Sequence, residues 1–321
     1  MSRTSKSPRR VAIAALLIGQ QVLPDYAHRF APKTFTQPQL LACLVLMRFH
    51  KTDFRGVCAI LDDSPTIRRD LGLKRTPHFT TLHKAQRRLM RHTQARLLLG
   101  ASARQLKRRR FISCRAAADS TGFESSRISP YFVRRRDRSS GKATTAYYTR
   151  FPKLHVIVDC KTHLVLAAYP KRGPTPDAGE FVKLYTQLAP GIDLHTLYAD
   201  AGYDSEANHV FLRDDLHVHS LIPARIGRPT TKPARGKHRR LMQRLFADPA
   251  SINYGQRWQA ETVFSMIKRN LGHAISARSY HAQNREMLLN CITHNAMILW
   301  LIAEVFYRAG QTPFGGFILA C

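Results

Sequence analysis

The order of strand-like and helical segments after residue 110 narrows the folds open to this chain more than any other feature. Three short strand-like segments come first, and helices then alternate with further strands, in the order β-β-β-α-β-α-β-α. Short turns between the first three strands predict antiparallel pairing, and helical crossovers bring the later strands in parallel. We therefore predict an α/β domain whose mixed five-stranded sheet carries helices on both faces. The predicted strands are 115–120, 153–159, 163–169, 196–199 and 218–222.

The chain carries a large excess of positive charge. Lys and Arg number 51 and Asp and Glu 21, so the formal net charge is +30, while 44% of the residues are hydrophobic. That hydrophobic content predicts a folded protein, and the charge favours a polyanionic partner, nucleic acid rather than membrane. No apolar run in the sequence approaches the roughly 20 residues that span a bilayer. Six cysteines are scattered without a zinc or disulfide spacing, which indicates reduced thiols in a cytoplasm.

Three regions follow from these patterns. Residues 1–110 read as short helices separated by tight breaks and are predicted to form a small helical domain that binds DNA. A helix-turn-helix-like module and a plain helical packing domain both agree with that pattern. Residues 111–308 have the element order of a ribonuclease-H-like domain, and residues 309–321 form a C-terminal tail.

Two basic segments are candidates for contact with DNA phosphates. One contains Arg134, Arg135 and Arg136. The other, residues 223–244, includes Arg239 and Arg240 and three prolines, so we expect it to be extended. Phosphate contact would make binding fall steeply with salt. The competing interpretation of both segments is a solvated charged loop.

Two aspartates stand at the ends of predicted strands. Asp119 follows Ala116-Ala117-Ala118, and Asp200 follows Leu197-Tyr198-Ala199. The predicted order makes these two strands neighbours, so the carboxylates should lie close together. Converging carboxylates suit a pair of divalent ions that act on a phosphodiester, because magnesium prefers hard oxygen ligands. Either acid alone could merely cap a turn.

One predicted helix carries a narrow polar stripe. Tyr254, Arg257, Glu261 and Lys268 fall within about 60° of one another at 100° per residue. Asn253 is expected to cap this helix together with a glutamine three residues later. An ordinary surface ion pair would account for Arg257 and Glu261 but not for the other two residues. The opposite, apolar face is predicted to pack on the sheet and consists of Ala260, Val263, Phe264, Met266, Ile267 and Leu271.

This stripe and the two aspartates resemble a motif of bacterial insertion-sequence transposases of the DDE type, in the IS-four and IS-five groups. The pattern Tyr-x2-Arg-x3-Glu-x6-Lys is complete in YGQRWQAETVFSMIK, and the aspartates stand in ADST and YADAGYDS. The resemblance implies that Asp119, Asp200 and Glu261 are catalytic and hold two Mg²⁺ ions, for which Mn²⁺ can substitute. It also implies that Tyr254, Arg257 and Lys268 bind phosphates near the DNA end that reacts.

The resemblance further implies the reaction and its partners. The chain would be a DNA transposase that cleaves double-stranded DNA at the terminal inverted repeats of an element and transfers the strand into target DNA. A homodimer is expected because two ends must meet, in the nucleoid of a bacterial cytoplasm. A nuclease of the same fold without strand transfer, or an inactive DNA-binding descendant, are the other readings. All three acids are present in this chain, whereas an inactive descendant would normally have lost them, and this favours the active enzyme.

Several nearby residues are open to more than one interpretation. Trp258 could stack on an unpaired base, but a tryptophan beside such a helix more often packs in the interior, and packing is the favoured expectation. Asp137, Asp159 and Asp204 are further carboxylates that we rank below the chosen three.

Overall fold

The computed structural model describes residues 4–107, 113–125, 150–225 and 233–308. Its N-terminal part is helical, as the sequence predicts. Thr36 begins one of these helices with a capping box, in which it exchanges hydrogen bonds with Gln39, and Asp53 caps the next through its carboxylate. The helices are α1 (Pro8–Gln20), α2 (Gln37–Phe49), α3 (Phe54–Asp62), α4 (Pro65–Asp70), α5 (Phe79–Leu89) and α6 (His92–Lys107).

A mixed five-stranded sheet follows, as predicted. The described residues contain the five strands of this sheet and a separate pair, β2 and β7. The strands are β1 (Arg115–Gly122), β2 (Glu124–Ser125), β3 (Phe151–Asp159), β4 (Val165–Gly173), β5 (Thr196–Ala199), β6 (His219–Leu221) and β7 (Ala274–Ile275). The large sheet has the order β4-β3-β1-β5-β6, in which β4, β3 and β1 are antiparallel and β1, β5 and β6 are parallel. The sequence did not indicate the small parallel pair β2–β7, which is too short to show a period.

The sheet is covered on both sides. Val156, Ile157 and Val158 are consecutive residues of β3 that point to alternate faces, and all three are fully buried. The covering helices of this part are α7 (Phe181–Tyr185), α8 (Glu206–Val210), α9 (Lys237–Leu245), α10 (Trp258–Leu271) and α11 (Tyr280–Arg308). Among the described segments, no helix combines the length and hydropathy that crossing a membrane requires.

Helix α9 corrects the expectation that residues 223–244 are extended. The carboxylate of Glu206 accepts hydrogen bonds from the backbone amides of His238 and Arg239, at 2.9 and 3.0 Å, and so satisfies the first turn of α9. His238 and Met242 are buried against the rest of the domain. The cap comes from a residue about thirty positions earlier, which the local sequence does not reveal. Residues 226–232 of the segment lie outside the described ranges.

Helix α11 joins the N-terminal helices to the sheet. It packs on α1, α2, α6 and β4, and one continuous hydrophobic cluster runs through both parts. The amide of Asn295 donates to the carbonyl of Val165 and to the hydroxyl of Ser102, both at 2.8 Å, and its oxygen accepts from the Val165 amide. A side chain of α11 thus satisfies the backbone of edge strand β4.

A buried ion pair crosses the same contact. Arg48 of α2 donates to Glu286 at 3.0 Å, to Asn290 at 2.7 Å and to the carbonyl of Leu271 at 2.8 Å. Glu286 also accepts from the amides of Ser276 and Ala277. Both charged side chains are only 8% exposed, so the removal of either one would leave the other as a buried, uncompensated charge.

We predict that Glu286→Ala lowers the free energy of unfolding by about 3 to 5 kcal/mol, because it leaves the Arg48 guanidinium buried without its counter-charge. Urea unfolding measures the change. Asp62→Ala is the control, since it removes a pair with Arg68 in which the carboxylate is 63% exposed, and should cost less than about 1 kcal/mol. Equal losses in the two variants would show that the buried pair does not carry the contact.

Candidate active site

The two predicted aspartates lie side by side at one edge of the sheet. In the parallel pairing of β1 with β5, Ala118 is opposite Ala199, so Asp119 and Asp200 are the next residues on adjacent strands. A fully buried alanine directly precedes each acid. Asp119 accepts a hydrogen bond from the Ser120 amide at 2.7 Å, and Asp200 from the Gly202 amide at 2.9 Å. These local bonds fix the direction of each carboxylate.

Helix α10 brings the third acid to the same edge. It packs on β1 and β3 through the six apolar residues that the sequence predicts, all of which are buried. A 3₁₀ turn, Tyr254–Arg257, precedes the α-helix. The predicted cap is wrong, because Asn253 has a left-handed backbone, with φ of 53°, and its side chain makes no capping hydrogen bond. The turn that enters the helix is set by its packing on β1 and β5 rather than by a cap.

Arg257 links two of the acids. Its guanidinium lies 3.8 Å from Oδ2 of Asp119 and 2.7 Å from Oε1 of Glu261. Glu261 is 55% exposed, whereas Asp119 is 14% exposed. Arg257 therefore connects a buried acid at the strand end to an exposed acid on the helix.

The pKa of Asp119 is raised from 3.8 to about 6. Burial is the largest cause, and the charges of Asp200 and Glu261 raise the pKa further. The hydrogen bond from Ser120 and the charge of Arg257 act in the opposite direction without cancelling the effect. The three acids therefore share one electrostatic environment in which negative charge is only partly offset.

The remaining two residues of the polar stripe contact the same strands. The hydroxyl of Tyr254 donates to the carbonyl of Ala199 at 2.9 Å, directly before Asp200. Lys268 donates to the hydroxyl of Thr121 at 2.8 Å and lies 5.4 Å from the ring centre of Phe123. The four residues of the polar stripe thus lie along the edge of the sheet. In this structure Tyr254 and Lys268 form hydrogen bonds with residues of β5 and β1.

A fourth carboxylate, which the sequence analysis missed, lies behind the pair of aspartates. Asp177 accepts from the Ser120 hydroxyl at 3.1 Å and forms an ion pair with Lys153, whose side chain is 13% exposed. His155, two residues after Lys153 on β3, forms a hydrogen bond of 3.0 Å with the Tyr203 hydroxyl. The available signal was Lys153 itself, a lysine at the start of an otherwise apolar strand, which requires a partner when it is buried.

Gly202 separates the carboxylates of Asp200 and Asp177. A Cβ atom at this position would lie 2.9 Å from Oδ1 of Asp200 and 3.3 Å from Oδ2 of Asp177. Any side chain at this position would therefore displace the carboxylate of Asp200 or that of Asp177. The turn after β5 needs glycine for space rather than for an unusual backbone angle.

Trp258 corrects another expectation. Its side chain is 64% exposed and does not pack in the interior. The reason is its place as the first residue of α10, about 100° from Arg257 and outside the apolar face. An exposed indole beside the acids is accessible to a ligand.

The predicted basic contacts have different surroundings. Arg239 donates to Asp204 and to the carbonyl of Arg225, and His209 lies 3.4 Å from the same aspartate, so this arginine is part of an internal network. Arg240 donates to the carbonyl of Gly236 at 3.1 Å and stays at the surface. Arg134, Arg135 and Arg136 lie outside the described residues.

The acids have donors that suit a divalent cation. Within the described ranges, no three His, Cys, Asp or Glu side chains are close enough to hold a metal ion by themselves. A guanidinium instead contacts two of the three acids and offsets their charge. Carboxylate oxygens are the ligands that magnesium prefers, and the cluster retains uncompensated charge around Asp119. The donor chemistry fits, provided that Arg257 yields its contact with the acids.

A mixed sheet with acids at adjacent strand ends and cations along one helix is the arrangement expected of an enzyme that acts on phosphodiesters. The family model described as "Transposase DDE domain" matches residues 110–296, more than half of the chain. The chain therefore belongs to the DDE transposases and is a DNA-processing enzyme by family. Among curated proteins, none matches the chain.

We predict that, with a chelator present, the Asp119 carboxyl destabilises the folded state as the pH rises from about 4 to 6, against the opposite contribution of His155 and His294, whose pKa values burial lowers to about 4. Asp119 holds its proton more tightly in the folded state than at its ordinary pKa of 3.8, so the folded state binds more protons at this carboxyl in this interval. Asp119→Asn should remove up to roughly 3 kcal/mol of this change, measured by urea unfolding across the interval. Asp215→Asn, which alters an exposed acid, should keep the wild-type slope. A slope unaltered by Asp119→Asn would contradict the prediction.

Proposed function

We propose that the protein is an active insertion-sequence transposase of the IS-four/IS-five type, which cleaves DNA at the ends of its element and joins those ends to target DNA. The observation that carries this proposal is the meeting of Asp119 and Asp200 on adjacent parallel strands, with Glu261 joined to Asp119 through Arg257. The complete Tyr-x2-Arg-x3-Glu-x6-Lys pattern supports the assignment to this type.

Asp119, Asp200 and Glu261 are the proposed catalytic acids and metal ligands. Two Mg²⁺ ions bound there, or Mn²⁺ in their place, would supply Lewis-acid activation of the nucleophile and offset charge on the phosphate. The strand ends fix Asp119 and Asp200, while Glu261 sits on an exposed helical face. Glu261 is thus the acid with the most freedom to turn toward an incoming ion.

Arg257 is proposed to exchange partners when DNA binds. A phosphate offers its guanidinium a bidentate anion in place of the two carboxylates. Its release would leave Asp119 and Glu261 free as ligands. Tyr254 keeps its contact with β5 and positions Asp200, and Lys268 adds positive charge at the end of β1. The contact of Tyr254 with Ala199 supports a role in positioning Asp200, in place of the phosphate binding that the resemblance implies.

The proposed reaction has two steps at the same acids. In the first, a water oxygen attacks the phosphorus at the element boundary, the bond from phosphorus to the 3′ oxygen breaks, and that oxygen leaves as a hydroxyl. In the second, this hydroxyl attacks a target phosphorus, loses its proton, and releases a target 3′-hydroxyl. Neither step changes an oxidation state or requires ATP.

The proposed partners follow from the reaction. Double-stranded DNA with terminal inverted repeats is the substrate, a second duplex is the target, and a homodimer brings two ends together in the bacterial cytoplasm. Arg134, Arg135, Arg136 and Arg240 are proposed phosphate contacts, whereas the pairing of Arg239 with Asp204 favours a structural role for that arginine.

We expect the purified protein with Mg²⁺ to cleave a plasmid at the boundaries of the inverted repeats that flank its gene, and to join the new 3′ ends to other DNA. Glu261→Gln should reduce cleavage by more than about a hundredfold, because the amide is a far weaker ligand for a divalent ion. Sequencing of all product ends distinguishes cleavage from joining. Asp215→Asn, the exposed acid of a different element, should keep full activity.

Two outcomes would replace the proposal. Glu261-dependent cleavage without joined products would indicate a nuclease of the same fold. Salt-sensitive DNA binding with no cleavage in wild type or variant would indicate an inactive DNA-binding descendant.

We predict that Gly202→Ala lowers the cleavage rate about tenfold while the protein stays folded. The added methyl group must displace the Asp200 carboxylate by a few tenths of an ångström, and small displacements at reacting groups are costly. Single-turnover cleavage and thermal unfolding measure the two effects. Gly179→Ala is the matched control, because a Cβ atom there meets no other atom within 4 Å. An active Gly202→Ala variant would show that the turn does not set the position of Asp200.

A further inference from the structure

A basic groove lies between α5 and α11, away from the acids. It has a volume of about 510 Å³, and its lining includes the cations Lys84, Arg87, Arg88, Arg91 and Arg285, together with His92 and His281. We call it the α5–α11 groove. No acid is among the described residues that line it.

The two helices contribute these side chains by their periodicity. Lys84, Arg87, Arg88 and Arg91 are spaced three or four residues apart on α5 and the turn that follows, so they share one face. His281 and Arg285, four residues apart on α11, form the opposite wall. The helices are about two hundred residues apart in the chain, and only the folded structure brings the cations together.

The cations of the groove lack the counter-charges that other internal cations have. Arg48 pairs with Glu286, and Arg239 with Asp204. In the described part of the chain, Arg87, Arg91 and Arg285 have no acid within ion-pair distance, and the buried Nε of Arg285 has no hydrogen-bond partner. Burial and the charge of Arg87 lower the pKa of Arg285, and burial and the charge of Arg91 lower that of Arg88. The groove is thus a set of mutually repelling cations that an anion would stabilise.

A short path through the structure connects the groove to the acids. The amide of Gln283, between His281 and Arg285, lies 3.4 Å from the Ser125 hydroxyl of β2. Six residues separate Ser125 from Asp119 and span at most about 20 Å. One turn of duplex DNA is about 34 Å long. A duplex with its end at Asp119 could therefore pass over the groove within its first turn.

We infer that the α5–α11 groove binds backbone phosphates of the DNA duplex whose end lies at the acids. This inference rests on the proposed function, because that function supplies the duplex. The described lining of the groove contains no Phe, Tyr or Trp. Its arginine and lysine side chains therefore suit phosphates rather than unstacked bases, so the contact is independent of sequence. The groove joins the helical N-terminal part to the last helix, and a duplex bound there contacts both parts of the chain.

The test compares two pairs of substitutions that remove the same charge. Arg87→Gln/Arg91→Gln alters exposed cations of the groove, and Arg69→Gln/Lys74→Gln alters exposed cations elsewhere. Binding of a labelled duplex of arbitrary sequence is measured by fluorescence anisotropy over a range of salt concentrations. All four positions are exposed, and thermal unfolding checks that each variant is folded.

Loss of two phosphate contacts predicts a salt slope smaller by about 2, so that raising salt from about 50 to about 200 mM weakens the groove variant about tenfold less than wild type. The Arg69→Gln/Lys74→Gln pair should keep the wild-type slope. Equal slopes for the groove variant and wild type would overturn the inference, as would an equal reduction in the control pair. A reduction confined to duplex RNA would also overturn it.

The cleavage reaction separates this inference from the proposed function. The groove variant should bind DNA more weakly yet cleave at the wild-type rate when protein is saturating, whereas Glu261→Gln should bind normally and fail to cleave. Glu261-dependent cleavage with an unchanged salt slope would reject the groove alone. A reduced salt slope without any cleavage in wild type would reject the proposed function and retain the groove as a DNA contact.

Discussion

The parallel pairing of β1 with β5 is the contact on which the rest of the site depends. It places Asp119 and Asp200 at the ends of adjacent strands, directly after two fully buried alanines. The cost is a buried carboxylate whose pKa rises toward 6 through burial and neighbouring charge. The charge of Arg257 lowers the pKa of Asp119 and so offsets part of this effect. Arg257 also forms an ion pair with Glu261, which links α10 to the end of β1.

Helix α11 has the corresponding role for the whole molecule. Asn295 bonds to the edge strand β4 and to α6, and the Glu286–Arg48 pair fixes α2. The N-terminal helices are therefore attached through polar contacts that demand one geometry, in addition to a shared apolar core. That attachment determines where α5 lies relative to α11, and so shapes the basic groove between them.

The distribution of charge links structure to function. The chain has 51 basic and 21 acidic side chains, so many of its cations lack an acidic partner. Acids that are present in the interior are used to hold specific cations, as in the pairs of Asp177 with Lys153 and Asp204 with Arg239. Among the described residues, the cations of the α5–α11 groove have no such acidic partners, which is the arrangement expected of a surface that binds a polyanion.

The sequence alone determined the features that depend on neighbouring residues. Strand segments, the mixed order of the sheet, the two strand-end aspartates and the buried face of α10 all follow from local period and composition, and the structure has them. Tertiary structure decided what depends on distant partners. Glu206 caps α9 from about thirty residues away, and Asp177 joins the acids through Ser120. Such contacts leave no periodic trace, because their energy comes from groups that only folding brings together.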